Sequence, residues 1–186
     1  KFPAARLVAI EPSAVLAEKC RVKGFEVVEN IVEQVRRYDD FSDLVVCFEV
    51  LEHVYEPLSF LQTLHRLTRP GGMVVVSTLC IDGFDLQTLW EKSNQISPPH
   101  HINFLSVDGI HRLFSRAGLQ DIKVTTPGLL DVDIVRNACL QNPEILNNQR
   151  FLKYLIEDDH RAKIFQRFLS VNQLSSHAWV SAISPD

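Results

Sequence analysis

The sequence predicts an α/β protein built on a mostly parallel sheet, with a helical block inserted before the last strand. Short, nearly continuous apolar runs (Leu7 to Ile10, Leu44 to Phe48, Met73 to Val76) alternate with helical stretches, the pattern of strands buried on both faces. Between the last two strand-like segments lies a long region whose apolar residues recur at helical intervals.

The elements follow in order. Leu7-Val8-Ala9-Ile10 reads as a buried strand ending at Glu11-Pro12-Ser13. Ser13 to Lys23 reads as a helix, with Ser13 as its N-cap and Gly24 as its stop. Phe25 to Val28 is a second strand, and Leu44 to Phe48 a third that is apolar on both faces. Pro57 to about Leu67 is a helix, since Leu58, Leu61, Leu64 and Leu67 form one stripe with Phe60 beside it. Arg69-Pro70-Gly71-Gly72 is a turn that leads into the strand Met73 to Ser77.

Thr78 to Ser106 is irregular apart from a helical stretch around Phe84 to Lys92. Val107 to Ala117 is amphipathic and stops at Gly118, and Asp121 to Thr126 is a strand. Residues 129–172 read as two or three helices, broken at Pro143 and near Asp158-Asp159. His177 to Ile183 is the final strand. The expected organisation is a core of residues 1–128 and 174–186, with a helical insertion, 129–173, over one end of the sheet.

The bulk properties exclude several classes. A chain of 186 residues, 46% hydrophobic, suffices for one domain with a substantial core. A net charge of −4 without a basic tract gives no electrostatic case for a nucleic-acid partner. No apolar run approaches the roughly 20 residues that span a bilayer, and the start carries no leader pattern. We therefore expect a cytoplasmic protein with no membrane partner. Cys20, Cys47, Cys80 and Cys139 are scattered without a CxxC pair, so they read as reduced, mostly buried thiols, not as a zinc site. Met73 is the sole methionine and Lys1 opens almost directly into a strand, so the N-terminus is expected not to be native.

Several motifs go further. They are Val8-Ala9-Ile10-Glu11-Pro12-Ser13, Ser42 to Val54 with its Leu51-Glu52-His53-Val54 exit, Arg66 to Gly72, Ser77-Thr78, Pro98 to Phe104, and Ala117-Gly118-Leu119. Together they resemble the class I S-adenosylmethionine-dependent methyltransferases, in particular the small-molecule branch. Asp43 to Thr78 is the stretch specific enough to name the family alone. The resemblance implies a Rossmann-like sheet with strands two to seven visible. The family's first strand and GxGxG turn, which precede the Glu11 strand by about twenty residues, are missing. None of the seven glycines forms that pattern.

Candidate site residues come from position and from that resemblance. Glu11 ends a buried strand, where open α/β sheets place ligands, and a carboxylate there can accept from both hydroxyls of a ribose. That spacing serves NAD equally, and the plain alternative is a helix-start residue favoured by the dipole. The resemblance implies S-adenosylmethionine as cofactor. Glu11 and Pro12 would lie at its ribose, Asn30 and Ile31 at its adenine, and Phe48, Glu49 and Val50 at its methionine part.

His53 and His101 are the candidate proton acceptors, each weighed against a packing role. Metal binding by the His100-His101 pair is not expected, because neighbouring carboxylates or thiolates are missing. His177 reads as structural.

The implied function is methyl transfer to a small-molecule acceptor. A catalytically inactive methyltransferase-like module and an NAD-binding oxidoreductase are the alternatives. A homodimer is the expected assembly if the edge vacated by the first strand is exposed.

Overall fold

The structure is a computed structural model that describes residues 6–185; the first five residues of the expected core, and Asp186, lie outside the described residues. Among the described residues six strands form two sheets. β1 (Val8–Ile10) and β2 (Glu26–Val28) pair in parallel, joined by α1 (Ala14–Val22). The larger sheet contains β3 (Ser42–Phe48), β4 (Thr68–Leu79), β5 (Gln120–Thr125) and β6 (His177–Ile183), in the order β3-β4-β6-β5. β3 and β4 are parallel, whereas β6 runs antiparallel to both β4 and β5, so this sheet is mixed.

β3 and β4 are joined by α2 (Pro57–Leu67), whose N-terminal proline suits a helix start, its missing N–H being one that has no intrahelical partner anyway. Phe60, Leu61, Leu64 and Leu67 are buried along the stripe read from the sequence. α4 (Val107–Arg116) starts at Ser106, whose hydroxyl accepts from the Gly109 amide at 2.9 Å. α2 and α4 pack Phe60, Leu61, Leu64, Ile110 and Phe114 against Val74, Val76, Ala178, Val180 and Ala182 to form the main core.

The expected turn at Arg69 to Gly72 is present, but it lies inside β4. Register passes from Ser42 opposite Thr68 to Leu44 opposite Met73, so the turn is an insert in the ladder. Gly71 takes φ 72°, and the Gly71 amide and Gly72 carbonyl bond the carbonyl and amide of Ser184. A Cβ on Gly72 would lie 3.0 Å from the Ser42 carbonyl and closer still to Thr68, so only glycine allows this approach.

The expected burial fails at β1, where Leu7 is exposed and Val8 to Ile10 are only half-buried, and again at β3. β3 is not buried on both faces: Val45 and Cys47 pack on the core, while Leu44, Val46 and Phe48 are exposed. An apolar run reports that a face can be buried, not that a covering layer is in place.

α5 (Asp131–Gln141), α6 (Arg150–Ile156) and α7 (Asp159–Val171) form the helical block between β5 and β6, and Asp158 caps α7 by accepting from the Arg161 amide. They share a separate apolar cluster of Val132, Val135, Leu152, Leu155, Ile156 and Leu169. α3 (Phe84–Leu89) joins that cluster through Phe84 and Leu89. Leu89 thus serves the helical block although it lies far outside it in sequence.

Candidate functional site

Strands β1, β2 and β3 end at Ile10, Val28 and Phe48, and most of the candidate residues lie at or just beyond those ends. Glu11 is half-buried. Its amide donates to the Val28 carbonyl at 3.0 Å, and its Oε1 accepts from the Ser13 amide at 2.8 Å. The carboxylate thus satisfies a backbone donor at the start of α1, while the Ser13 hydroxyl makes no cap bond. Oε2 makes no side-chain hydrogen bond among the described residues. Pro12 is exposed beside it. Asn30 closes a turn, with its Oδ1 accepting from the Ile31 amide at 2.9 Å, and leaves Ile31 exposed.

The exit of β3 is strained. Glu49 adopts φ 52°, a left-handed conformation uncommon for a residue with a side chain. Its amide bonds the Ser77 carbonyl, and its Oε1 accepts from the Ser77 hydroxyl at 2.5 Å. Phe48 is exposed with its ring 5.3 Å from that of Trp179, and Val50 is also exposed.

His177 is a member of this group that the sequence reading assigned a structural role. Its Nε2 accepts from the Trp179 indole N–H at 2.8 Å, and its Nδ1 lies 3.5 Å from Glu49 Oε1. An indole only donates, so the tautomer is set, with the proton on Nδ1. The signal that would have found His177 is topological. A strand running antiparallel to β4 begins where β4 ends, with His177 opposite Leu79.

Beyond β3 the chain makes a tight turn, Leu51–His53, in which Leu51 and Glu52 are buried. The segment 101–103 is clamped onto that turn. The amides of Ile102 and Asn103 donate to the Glu52 carbonyl at 2.8 and 3.1 Å. The Asn103 side-chain amide donates to the carbonyls of Leu51 and Val54.

This clamp brings His53 and His101 together, with ring centroids 4.8 Å apart. His53 Nδ1 bonds the His100 carbonyl and His101 Nδ1 bonds the Gln95 carbonyl, each at 2.7 Å. A carbonyl oxygen only accepts, so each Nδ1 carries the proton and each Nε2 the lone pair. The carboxylate that the sequence neighbours of His101 lack comes from Glu52. Its Oε2 accepts from the Thr78 hydroxyl at 2.9 Å.

Cys47 lies close enough to Glu52 and Glu49 to feel both charges. Burial first, and those carboxylates second, push its thiol up to about 12, which leaves it inert. Cys80 is pushed up to about 11, again chiefly by burial. Two clefts, one along α4 and β5 and one between α5 and α7, contain none of these candidate residues. Among the described residues no helix is long and apolar enough to cross a membrane.

Residues 2–124 match the family model described as a methyltransferase domain. A tRNA U34 carboxymethyltransferase from Sulfurovum sp. is 25% identical over 160 residues, which are 83% of this chain and 52% of that protein. A ubiquinone biosynthesis O-methyltransferase from Pseudomonas aeruginosa is 51% identical over 37 residues, 20% of this chain and 16% of that protein. The chain therefore spans about half the length of the first of these relatives, and a smaller share of the second.

An S-adenosylmethionine-dependent methyltransferase of known structure from Thermotoga maritima superposes with a TM-score of 0.63 at 15% identity, covering 96% of this chain and 72% of that one. The [4+2]-cyclase SpnF superposes at 0.59 with 13% identity, over 98% and 67% of the two chains. These likenesses establish the fold, on which chemistry is set by the site.

Proposed function

This chain belongs to the methyltransferase-domain family, and we propose that it transfers a methyl group from S-adenosylmethionine to a small-molecule hydroxyl or amine. The observation that carries this reading is the imidazole pair behind β3, each ring held by its Nδ1–H on a backbone carbonyl with Nε2 left as an acceptor. That leaves on each ring a lone pair able to accept a proton.

The residues at the ends of β1, β2 and β3 fit a nucleoside-containing cofactor. Glu11 is held by the Ser13 amide through one oxygen, and its second oxygen suits a ribose hydroxyl. Exposed Ile31 offers an aliphatic surface to a base, and Glu49 and Val50 hold the far end. The cofactor supplies an electrophilic methyl on a sulfonium sulfur.

The protein's share is position, exclusion of water and removal of the acceptor proton. As the carbon–sulfur bond breaks and the carbon–oxygen or carbon–nitrogen bond forms, the acceptor proton passes to Nε2 of His53 or His101. The block α5–α7 serves as cover for the acceptor and is where specificity resides. The family match replaces the oxidoreductase alternative. In thermal-shift measurements we expect S-adenosylhomocysteine, and not NAD, to raise the melting temperature. A shift with NAD alone would sink the proposal.

One observation favours a macromolecular acceptor: the relative aligned over 83% of the chain is named for a tRNA uridine. The net charge of −4 weighs against it. Retardation of tRNA in a native gel at physiological salt would decide for that reading, and its absence for the small molecule.

A further inference from the structure

We propose that Glu52, His53 and His101 form a binding site for a divalent transition-metal ion. One potential ligand atom from each residue lies within 4.8 Å of the others. A zinc–nitrogen bond is about 2.1 Å, so ligand atoms around a tetrahedral ion stand about 3.4 Å apart. The three side chains close that gap by about 1.4 Å of movement. His53 is the exposed member, with its ring held by the His100 carbonyl.

The surrounding contacts are those of a metal site as much as the ligands are. A ligating imidazole donates its second N–H to a carbonyl or carboxylate, which fixes its tautomer and aims the lone pair. Both imidazoles do so here, to His100 and Gln95. The carboxylate is oriented too, by the Thr78 hydroxyl at 2.9 Å.

Glu52 is only 1% exposed. Its carboxylate accepts from the Thr78 hydroxyl, and a cation shared with the two imidazoles would neutralise its buried charge. Two nitrogens and one oxygen suit Zn²⁺, Mn²⁺ or Fe²⁺ and do not suit Mg²⁺ or Ca²⁺. Three protein ligands also leave a position open for a substrate oxygen.

The binding of the ion is independent of the methyl-transfer reading. An ion held by the two imidazoles would take them out of proton transfer, so the occupied site and the imidazole base of the proposed reaction are alternative states of the same residues.

The test is equilibrium dialysis of the chelator-treated full chain against ZnCl₂, with metal read by mass spectrometry. We expect one equivalent in the wild type and at least a tenfold weaker affinity in His53→Ala and His101→Ala. His100→Ala should bind as the wild type does, since only its backbone carbonyl is used. Glu52→Gln should also lose the ion, and because Glu52 is buried its fold is checked by circular dichroism. The exposed His53 keeps the test decisive if that variant fails to fold. No stoichiometric zinc in the wild type, or unchanged binding in the His53→Ala/His101→Ala double variant, overturns the proposal. Because the S-adenosylhomocysteine shift is measured separately, failure of the metal site and failure of the methyltransferase reading are distinguishable.

Discussion

The two faces of the four-stranded sheet differ in kind. On one, Val74, Val76, Ala178 and Val180 are fully buried under α2 and α4. On the other, Leu44, Val46 and Phe48 are 54, 53 and 48% exposed, and Met73 and Trp179 join them. Both faces are apolar in sequence, as in parallel sheets covered on both sides. Composition is thus shared between the faces while covering is not, and the stability of the described chain should come overwhelmingly from one of them.

The sharpest test of that contrast pairs two phenylalanines. Phe114 is wholly buried between α4 and the sheet, whereas Phe48 stands on the open face. Phe114→Ala should cost about 3–5 kcal/mol, and Phe48→Ala less than about 1 kcal/mol, both read from urea denaturation. If the two variants lose comparable stability, the open face is covered in solution and the contrast collapses.

The covered side continues into the junction with the helical block, where packing is tighter still. A Cβ placed on Gly83 would meet the Ser176 backbone at 2.3 Å, with no flexible side chain able to yield. Gly83→Ala should therefore destabilise by about 1–3 kcal/mol. Gly24→Ala is the comparison: nothing lies within 4 Å there, and only the positive φ of 88° opposes it. A Gly83→Ala variant as stable as the wild type would show that the junction is looser than drawn.

The same junction holds a polar group that lowers stability. Asp85 is fully buried, and neither carboxylate oxygen has a hydrogen-bond partner. Burial first, and the charge of Asp131 in addition, push its carboxyl up to about 6. Asp131 itself is well served, accepting from the Ser175 hydroxyl, the Ser176 amide and Gln166.

A carboxyl whose folded pKa lies above its unfolded value binds more protons in the native state. Its contribution to stability is therefore fully present below about pH 4 and is lost as pH rises through about 6. Asp85→Asn removes that loss, so it should stabilise the chain by about 3 kcal/mol at pH 7.5 and make little difference at pH 4. Equal stabilisation at both pH values would show that packing, not ionisation, is the cause.

How legible these features were in the sequence follows from what each depends on. The bounds of α2 and β6 were readable because apolar periodicity and turn residues are local. The one-sided burial of β3 was not, since burial depends on what lies opposite. Glu11 was readable as a strand-end carboxylate, but its bond to the Ser13 amide shows that the ribose and helix-start readings are compatible. The meeting of Glu52, His53 and His101 was illegible for a different reason. It depends on Asn103 and on two backbone amides that dock a distant loop on the Leu51–His53 turn. A neighbour-by-neighbour reading of His100-His101 finds no carboxylate, because the carboxylate arrives through tertiary structure.

The smallest effect on stability belongs to the open face, and there the measurement must be of another kind. Val46 and Leu44 already stand in water in the described chain, so replacing Val46 by Glu removes little buried area. Its melting temperature should stay close to that of the wild type. What the substitution does change is the continuity of an apolar surface formed by Leu44, Val46, Phe48 and Met73, side by side across two paired strands. Apolar surface of that kind favours association. The wild type should therefore sediment with a concentration-dependent coefficient at micromolar protein, and Val46→Glu should not. Identical sedimentation of the two would mean that the open face takes no part in assembly. The difference between the faces would then be one of burial alone.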